Sequence, residues 1–410
     1  MTGSFSAARK SGGRVIAMEE LIRQFTDRYL TREEIAYRLP VSLPISEFWP
    51  VIDRARRDIS IELPLKTQDG EYFRFVMNSS ITEQCNAVAS MARKSYLLDT
   101  LPPEIMEDAT IDEAVWSSVI EGAFTSRAEA AKIIRQDKAP ANRSEQMIKN
   151  NYRAMLYVLE HLEEPISAKT LTDIAKLVTD KASDEPVRGF RTVQVYVTGR
   201  EGVVYTPPSA EQVPWLMNDL LDFIQNSDLH PLFKACIAHF YFVYVHPFTD
   251  GNGRTARALS YMMLLRSGYD FFRFFSVSGI IAEERNRYYK SMRNVEASGD
   301  DMTYFIDYYS AMLARSTDKM EKQLIRHVLT ENILSGLEKE QKLNDRQMKG
   351  TRWLLENAFD HVTVDAWKKK FRTATETARL DLLQLCDAGI LEKKMDGRKA
   401  VFKLQMDRLQ

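Results

Sequence analysis

Apolar residues recur at helical spacing along most of the chain. The repeats predict helices at 111–123, 144–162, 171–178, 213–225, 232–244 and 252–266. Between the third and fourth of these, residues 190–197 alternate apolar and polar, and a glycine-bounded turn separates them from the apolar segment 203–205. This change of period predicts a β-hairpin inserted into a mainly α fold.

The first hundred residues have a mixed pattern and carry no chemical motif. Ile22, Phe25 and Tyr29 lie at helical spacing, whereas Tyr72–Val76 follows a turn at Asp69–Gly70 and predicts a strand. Residues 1–14 are basic and rich in Ser, Gly and Ala but precede no apolar run, which predicts a flexible leader and not a secretory signal. We therefore interpret residues 1–100 as an N-terminal accessory region.

The last part of the chain is predicted to be a separate module. Residues 101–320 form the central domain, and a charged helical connector at 321–342 leads into residues 343–410. The elements of this module are predicted as helices at 346–357, 364–370 and 375–387 and as strands at 390–394 and 400–404. A turn at Asp396–Gly397 joins the two strands. Three helices followed by a hairpin predict a winged helix-turn-helix domain.

Composition excludes a polyelectrolyte function for the molecule as a whole. Among 410 residues, 56 Lys and Arg nearly balance 57 Asp and Glu, so no overall field steers nucleic acid or a membrane. The terminal module differs, because its 14 basic and 10 acidic residues give it a net charge of +4. The basic residues near its third helix and on its wing are Arg372, Arg379, Lys393, Lys394, Arg398 and Lys399. This charge predicts a partner that is either DNA or another protein.

Cysteine usage and hydropathy indicate the cellular compartment in which the protein is expected. Cys85, Cys236 and Cys386 are odd in number, far apart and set among apolar neighbours, which disfavours a disulfide framework or a zinc site. No run approaches the roughly 18 apolar residues that a membrane helix needs. A protein of the reducing cytoplasm, without a membrane span, is therefore expected.

The segment His246–Arg257 contains more residues with a potential binding or catalytic role than any other short segment of the sequence. Two glycines flank an asparagine at a predicted helix start, where backbone N–H groups and the helix dipole attract an anion. Arg254 and Arg257 lie on one face of the first helical turn and can each bind phosphate oxygens through two donors. Phosphate is the expected ligand.

Two further side chains in this segment suit group transfer. Asp250 is the local hard ligand for Mg²⁺, which usually takes one or two carboxylates plus phosphates. His246 is the nearby group whose ordinary pKa suits proton abstraction from a hydroxyl near neutrality. The segment lacks the Walker A order and no strand precedes it, so neither a P-loop nor a dinucleotide fingerprint is indicated. The pattern predicts phosphoryl or nucleotidyl transfer with a positioned base.

This segment resembles the signature of the Fic family, His-x-Phe-x-Asp/Glu-Gly-Asn-Gly-Arg-x-x-Arg, at every specified position. The resemblance implies a helical Fic bundle that transfers AMP from ATP to a Ser, Thr or Tyr hydroxyl of a target protein, with auto-AMPylation open. It implies His246 as the base and Asp250 as the Mg²⁺ ligand. The implied ATP-binding residues of the segment are Gly251, Asn252, Gly253, Arg254, Thr255, Ala256 and Arg257. Gly253 argues against the kinase branch, whose members have lysine there.

A second segment, Ser117–Gly122, is similar to the inhibitory motif of the family, Ser/Thr-x-x-x-Glu-Gly/Asn. The resemblance implies that Ser117 and Glu121 belong to an inhibitory helix and that Glu121 pairs with Arg257. A carboxylate on this guanidinium would occupy the donors that the γ-phosphate needs. In some relatives the same glutamate supports removal of AMP, so a reverse hydrolytic activity is open.

Two more regions match the family less specifically. The hairpin Phe190–Pro208 resembles the flap that clamps a target protein by strand addition, although a purely structural hairpin is an equal alternative. Asn286, Tyr288 and Tyr289 fall where the family places adenine and ribose contacts, although tyrosines at this spacing are equally often core.

Two other functions and one assembly stay open at this point. One alternative is transfer of another phosphate-linked group, such as UMP. The other is a transcription regulator in which the Fic domain only senses nucleotide and the winged helix acts. Retention of His246 and Asp250 argues against the second, because a sensor needs no base. A homodimer is also left open.

Overall fold

The computed structural model describes residues 18–94, 96, 98, 101–199, 202–339, 343–357, 359, 361–396 and 399–405. The predicted leader at 1–14, residues 340–342 of the predicted connector, and Gly397 and Arg398 of the predicted wing lie outside the described residues. The chain divides into two compact units. The described residues before 97 and those from Pro102 to Asp318 form the first unit, and those from Lys319 onward, with residues 98 and 101, form the second.

The first unit is built mainly of helices. Its helices are α1 (Met18–Asp27), α2 (Arg32–Ala36), α3 (Ile45–Asp58), α4 (Ser79–Ala92), α5 (Pro103–Ile120), α6 (Arg127–Arg135), α7 (Arg143–Glu160), α8 (Ala168–Thr179), α9 (Val213–Asn226), α10 (Pro231–Val245), α11 (Asn252–Arg266), α12 (Val277–Glu283) and α13 (Arg285–Ala297). A short 3-10 helix at Asp270–Phe274 precedes α12, and α14 (Thr303–Lys339) follows α13. Five of the predicted helices are confirmed to within three residues at each end. None of the described helices is long and apolar enough to cross a membrane.

One predicted helix begins earlier than expected. The pattern predicts a helix at 111–123, but α5 begins at Pro103 and ends at Ile120. The Pro102–Pro103 pair marks the helix start, because proline at the first helical position has no N–H that would need a partner. Glu121 is the C-cap, and Gly122 follows with a φ of +93°. Glu121 therefore lies at the end of a long, partly buried helix.

Helices α10 and α11 form the centre of the first unit. Nearly every residue of both helices is buried, and α10 is apolar around its whole circumference, as expected of a core helix. The signature segment begins in the turn between them, residues 246–251, and continues into the first turns of α11. The motif is therefore held between two helices with almost no exposed surface.

The N-terminal region packs into the same unit. An antiparallel pair, β1 (Ile61–Lys66) and β2 (Tyr72–Phe75), places Phe73 edge-on against Phe240, Tyr241 and Tyr244 of α10. Strand β2 matches the predicted strand, whereas β1 was not predicted. The region predicted as accessory thus contributes side chains to the core around α10.

The inserted hairpin is present but shorter than predicted. Strands β3 (Val197–Gly199) and β4 (Gly202–Tyr205) pair antiparallel, whereas residues 190–196 form no strand. The backbone N–H of Arg191 donates to Pro247 O at 2.8 Å, so this residue bonds the turn after α10 and not a partner strand. The predicted strand at 190–197 is therefore wrong for all but its last residue.

The second unit contains a three-stranded antiparallel sheet and three short helices. In chain order its elements are α15 (Asp345–Glu356), β5 (His361–Thr363), α16 (Val364–Phe371), α17 (Thr375–Asp387), β6 (Leu391–Asp396) and β7 (Lys399–Leu404). The strand order is β5-β7-β6. The sequence predicts this order except for β5, whose three residues are too few to show a period. The boundary between the units falls within α14, and membership in the winged-helix class stays a prediction.

A buried carboxylate ties the helices of the second unit together. Asp381 of α17 accepts two hydrogen bonds from Arg346, at 2.6 and 2.9 Å, and one from Trp367 Nε1 at 3.1 Å. Burial alone would raise the pKa of Asp381, but these hydrogen bonds outweigh burial and hold the pKa below its ordinary value. Asp381 therefore stabilises this unit above its unfolded pKa, and the contribution is lost as the pH falls through the folded pKa.

We expect Asp381→Ala to destabilise the second unit by about 2–3 kcal/mol, because it removes the acceptor of charge-assisted hydrogen bonds. Hydrogen exchange of peptides from residues 343–405 measures the effect in the intact chain. Asp387→Ala, at an exposed position of the same helix, is the control and should change exchange little. Equal protection in the two variants would contradict the assignment.

Candidate active site

His246 is the C-cap of α10 and has a left-handed backbone, with φ 51° and ψ 58°. Its Nδ1 lies 3.1 Å from Val243 O, and because a carbonyl oxygen can only accept, Nδ1 carries the proton and Nε2 keeps its lone pair. Burial lowers the pKa of His246, against an opposing effect of the hydrogen bond to Val243. A neutral imidazole with a free Nε2 is the form that can accept a proton at neutral pH.

The turn after His246 is closed by Asn252. Its Oδ1 accepts from the N–H of Phe248 at 2.9 Å and its Nδ2 donates to Phe248 O at 2.7 Å. Gly251 begins α11 as its N-cap with a φ of +81°, a conformation that favours glycine. The first N–H groups of α11 have no acceptor within the helix, so this turn presents them as an anion site.

Two further residues of the signature lie within α11. Thr255 and Ala256 are fully buried, and the N–H of Thr255 already donates to Gly251 O at 2.9 Å. The contact of these two residues with ATP stays a prediction.

The two arginines of the signature are both 3% exposed, yet each keeps a buried nitrogen without a hydrogen-bond partner. Arg254 donates from Nη1 to Val178 O at 2.5 Å, and its Nε is the unpaired atom. Burial lowers the pKa of Arg254, although Asp250 opposes the change. Buried guanidinium donors without acceptors are what a bound anion would satisfy.

Arg257 is held by the end of α5. Its Nε donates to Ser117 Oγ at 2.8 Å, and its Nη2 donates to Ser117 O and to Glu121 Oε1, each at 2.8 Å. Its Nη1 is unpaired. Burial alone would lower the pKa of Arg257, but Glu121 and two neighbouring tyrosines outweigh burial and hold it above its ordinary value. The pairing between Glu121 and Arg257 implied by the family resemblance is thus present.

The carboxylate of Glu121 also lies against the start of α11. A Cβ added to Gly253 would approach Glu121 Cδ to 2.9 Å, so a larger residue at this position would displace the carboxylate. The Glu121 side chain is 29% exposed, and Gly253 leaves the space in which it rests. Glu121 therefore contacts both the second arginine and the anion site.

Asp250 precedes the anion site and is partly exposed. Its Oδ1 accepts from the N–H of Gly251 at 2.5 Å and lies 3.3 Å from Arg254 Nη2, whereas its Oδ2 is 4.0 Å from Arg143 Nη2. No three-ligand cluster forms around it among the residues that the structure describes. One carboxylate fits Mg²⁺ when phosphate oxygens complete the coordination.

Of the residues predicted to contact the nucleoside, Tyr288 and Tyr289 lie near Arg257, and Tyr289 also bonds the end of α5. Its hydroxyl donates to Ile120 O at 3.2 Å. Tyr288 is 1% exposed, and its hydroxyl bonds His239 Nε2 at 2.7 Å, so it is buried in the core, and its contact with the nucleoside stays a prediction. Asn286 is exposed on the first turn of α13.

Part of this chain is similar to known proteins. Residues 165–264 match the model of the Fic/DOC family. The chain is 28% identical over 226 residues to "Protein adenylyltransferase Fic" of Nematostella vectensis, which covers 52% of this chain and 49% of the relative. It is 30% identical over 233 residues to "Protein adenylyltransferase fic-1" of Caenorhabditis elegans, with 55% and 41% covered. The chain thus spans at most about half the length of these relatives.

A solved structure supports the fold. The crystal structure of a Fic family protein from Desulfovibrio desulfuricans G20 superposes with a TM-score of 0.55, at 19% identity, over 81% of this chain and 97% of the other. At this identity the likeness concerns the fold alone. The signature segment, His246–Arg257, lies within residues 165–264, the part of this chain that matches the Fic/DOC family.

Proposed function

We propose that this protein transfers AMP from ATP to a hydroxyl side chain of a target protein and that Glu121 restrains the transfer. The observation that carries the proposal is the position of His246. Its free Nε2 lies in the turn that leads directly into the anion site of α11. The names of the relatives support the type of group transferred.

The chemistry follows from the described side chains. The acceptor hydroxyl gives its proton to His246 Nε2 while its oxygen attacks the α-phosphorus, and the bond to pyrophosphate breaks. The N–H groups at the start of α11 and the unpaired donors of Arg254 and Arg257 stabilise the charge on the phosphates. Mg²⁺ held by Asp250 and the phosphates would supply further neutralisation of this charge.

The restraint follows from the ion pair of Arg257. Glu121 occupies Nη2, which is one of the donors that a γ-phosphate would use, and its carboxylate repels phosphate beside Gly253. A triphosphate that enters in this state is displaced from in-line geometry for attack. Glu121 is thus proposed as an inhibitor in cis.

The hairpin is the proposed docking site of the target. Val193, Tyr196, Val203 and Val204 are each at least half exposed, which is unusual for so many apolar side chains in one short segment. The hydroxyl of Tyr205 donates to Tyr244 O at 2.7 Å and fixes the base of the hairpin to α10. A peptide added along this edge would run close to the turn that holds His246.

Mass spectrometry of proteins modified by the Glu121→Gly variant tests the proposed function. With ATP supplied, we expect a peptide that carries AMP on Ser, Thr or Tyr, either on this chain or on a target. The same peptide should be unmodified when a Glu121→Gly, His246→Ala protein is used. The same experiment is repeated with the nucleotide that would supply each alternative group. Detection of a phosphate or UMP adduct in place of AMP would identify that group as the one transferred.

A second proposed activity concerns the other unit, which we propose binds nucleic acid. Lys368, Lys369 and Lys370 are exposed on the last turn of α16, and Lys393 and Lys394 are exposed on β6. Titration of duplex DNA at increasing salt is the test, since neutralised phosphates give an affinity that falls steeply with salt. Absence of salt-dependent binding would favour a protein partner.

A further inference from the structure

Arg191 is buried between the hairpin and the catalytic turn, and it is only 4% exposed. Its Nε donates to His246 O at 2.8 Å and its Nη1 donates to Val193 O at 3.0 Å. Its Nη2 donates to Pro208 O at 2.5 Å and to Val245 O at 3.3 Å. One guanidinium therefore binds four carbonyl oxygens from three segments of chain.

The partners of this guanidinium are all neutral. Within the described chain, no carboxylate lies at ion-pair distance from Arg191, and burial lowers its pKa despite weak opposing effects of Tyr205 and Glu211. Burial of a charge without a counter-ion is unfavourable, so an apolar side chain would fill this space at lower cost. An apolar side chain could not, however, bond these carbonyls.

The four carbonyls belong to the two parts of the site that must meet during transfer. Val193 and Pro208 lie on either side of the hairpin, whereas Val245 and His246 form the turn that holds the base. His246 has a φ of 51°, which is disfavoured for a residue with a side chain, and its own carbonyl is one of the four acceptors. Arg191 thus stabilises the conformation that orients the imidazole.

We propose that Arg191 is a positioning residue that fixes the hairpin relative to His246, so that a hydroxyl bound at the hairpin lies in reach of Nε2. This proposal rests on the proposed function of His246 as base. Arg191 touches neither phosphate-binding arginine in the described structure, so its effect is confined to the acceptor side of the reaction.

The test compares Arg191→Lys and Arg191→Gln in the Glu121→Gly background. Lysine keeps the charge and the alkyl stem but cannot bond four carbonyls at once. We expect the rate of AMP transfer at saturating ATP to fall about 100-fold, the size of effect expected from a misplacement of about 1 Å. The Kd for ATP should stay within about twofold. Arg188→Gln, at an exposed position three residues earlier, is the matched control and should behave as the parent.

A second measurement does not depend on transfer. In protein with isotope-labelled histidine, the Nδ1 proton of His246 is held by Val243 O and should exchange slowly in the parent and in Arg188→Gln. It should exchange faster in both Arg191 variants. If the parent transfers no nucleotide, the proposed function fails, and this proton still decides whether Arg191 orients the ring.

Three results from folded variants would overturn the proposal. The first is parental transfer by Arg191→Lys, and the second is unchanged exchange of the Nδ1 proton. The third is loss of ATP affinity in parallel with transfer, since this would indicate a general effect on the site. Should Arg191→Gln fail to fold, Arg191→Lys carries the test, and unfolding of both at the assay temperature would make Arg191 a residue of the fold and not of positioning.

Discussion

Alanine at position 246 will reduce AMP transfer about 1,000-fold, within the range that a positioned general base contributes, and will leave the Kd for ATP within about twofold. The reason is the separation of tasks within the turn. The imidazole offers its free Nε2 to the acceptor hydroxyl, whereas phosphate is expected to bind Arg254, Arg257 and the N–H groups of α11. Transfer from ATP labelled on the α-phosphate, with calorimetry for binding, separates the two effects in the Glu121→Gly background.

The chain offers a close control for this substitution. His161 is also the C-cap of its helix, α7, and its Nδ1 also bonds a carbonyl of the last turn, that of Tyr157, at 2.8 Å. Alanine at position 161 removes the same ring from the same kind of helix end without touching the anion site. Parental transfer by His246→Ala, or an equal loss in His161→Ala, would refute the role of His246 as base.

The pH dependence of transfer should reflect the burial of His246. Because burial lowers the pKa of this imidazole, its neutral form persists to a lower pH than that of an exposed histidine. The rate should rise as the imidazole loses its proton and reach its plateau below the pH at which an ordinary histidine, of pKa about 6.5, is fully neutral. A plateau reached only above that pH would mean that another group is the base.

Local signals in the sequence were enough to predict α11. Its predicted range, Asn252–Arg266, is also the observed one, because glycine and asparagine mark the start and Gly268, with a φ of +83°, follows the end. The strand predicted at 190–197 fails for the opposite reason. Arg191 occupies a polar position of the alternating pattern, which predicts an exposed side chain. Its side chain is instead buried, because it donates hydrogen bonds to carbonyl oxygens far along the chain. Periodicity contains no information about such distant acceptors.

The residues of the candidate site also divide into those that a local motif reveals and those that it does not. The residues within His246–Arg257 were found because one short stretch of sequence contains them all, and Glu121 was found only through a family motif. Arg191 was missed because a single arginine in a presumed strand carries no signal of its own. Tyr288 was predicted to contact the nucleotide. Its hydroxyl bonds His239, a buried residue on another helix, and the local sequence around Tyr288 does not show this contact. Contacts between distant segments depend on how the helices pack, and the local sequence pattern does not reveal them.

Glycine at position 121 will raise AMP transfer about 10- to 100-fold. The expected size follows from the charge-assisted hydrogen bond between Glu121 Oε1 and Arg257 Nη2, since such bonds contribute about 1.5–3 kcal/mol and about 1.4 kcal/mol corresponds to a tenfold change. Loss of the carboxylate frees Nη2 for the γ-phosphate and removes a negative charge from the anion site. Ser117→Ala, which removes only the hydroxyl acceptor of Arg257 Nε, should give a smaller rise. Glu104→Gln, an exposed change on the first turn of α5, is the control.

Glu121→Gly should lower the stability of the protein although it raises AMP transfer. This combination distinguishes release of an inhibitor from a general improvement of the enzyme. Arg257 is buried, so removal of Glu121 leaves another of its donors without an acceptor and should lower the free energy of unfolding by about 1–3 kcal/mol. ATP should restore more of this loss than ADP, because a γ-phosphate replaces the carboxylate on Arg257 and binding to the folded state stabilises it. Thermal unfolding of Glu121→Gly with each nucleotide measures the difference. Equal stabilisation by ATP and ADP, together with unchanged transfer, would show that Glu121 and the γ-phosphate do not compete for Arg257.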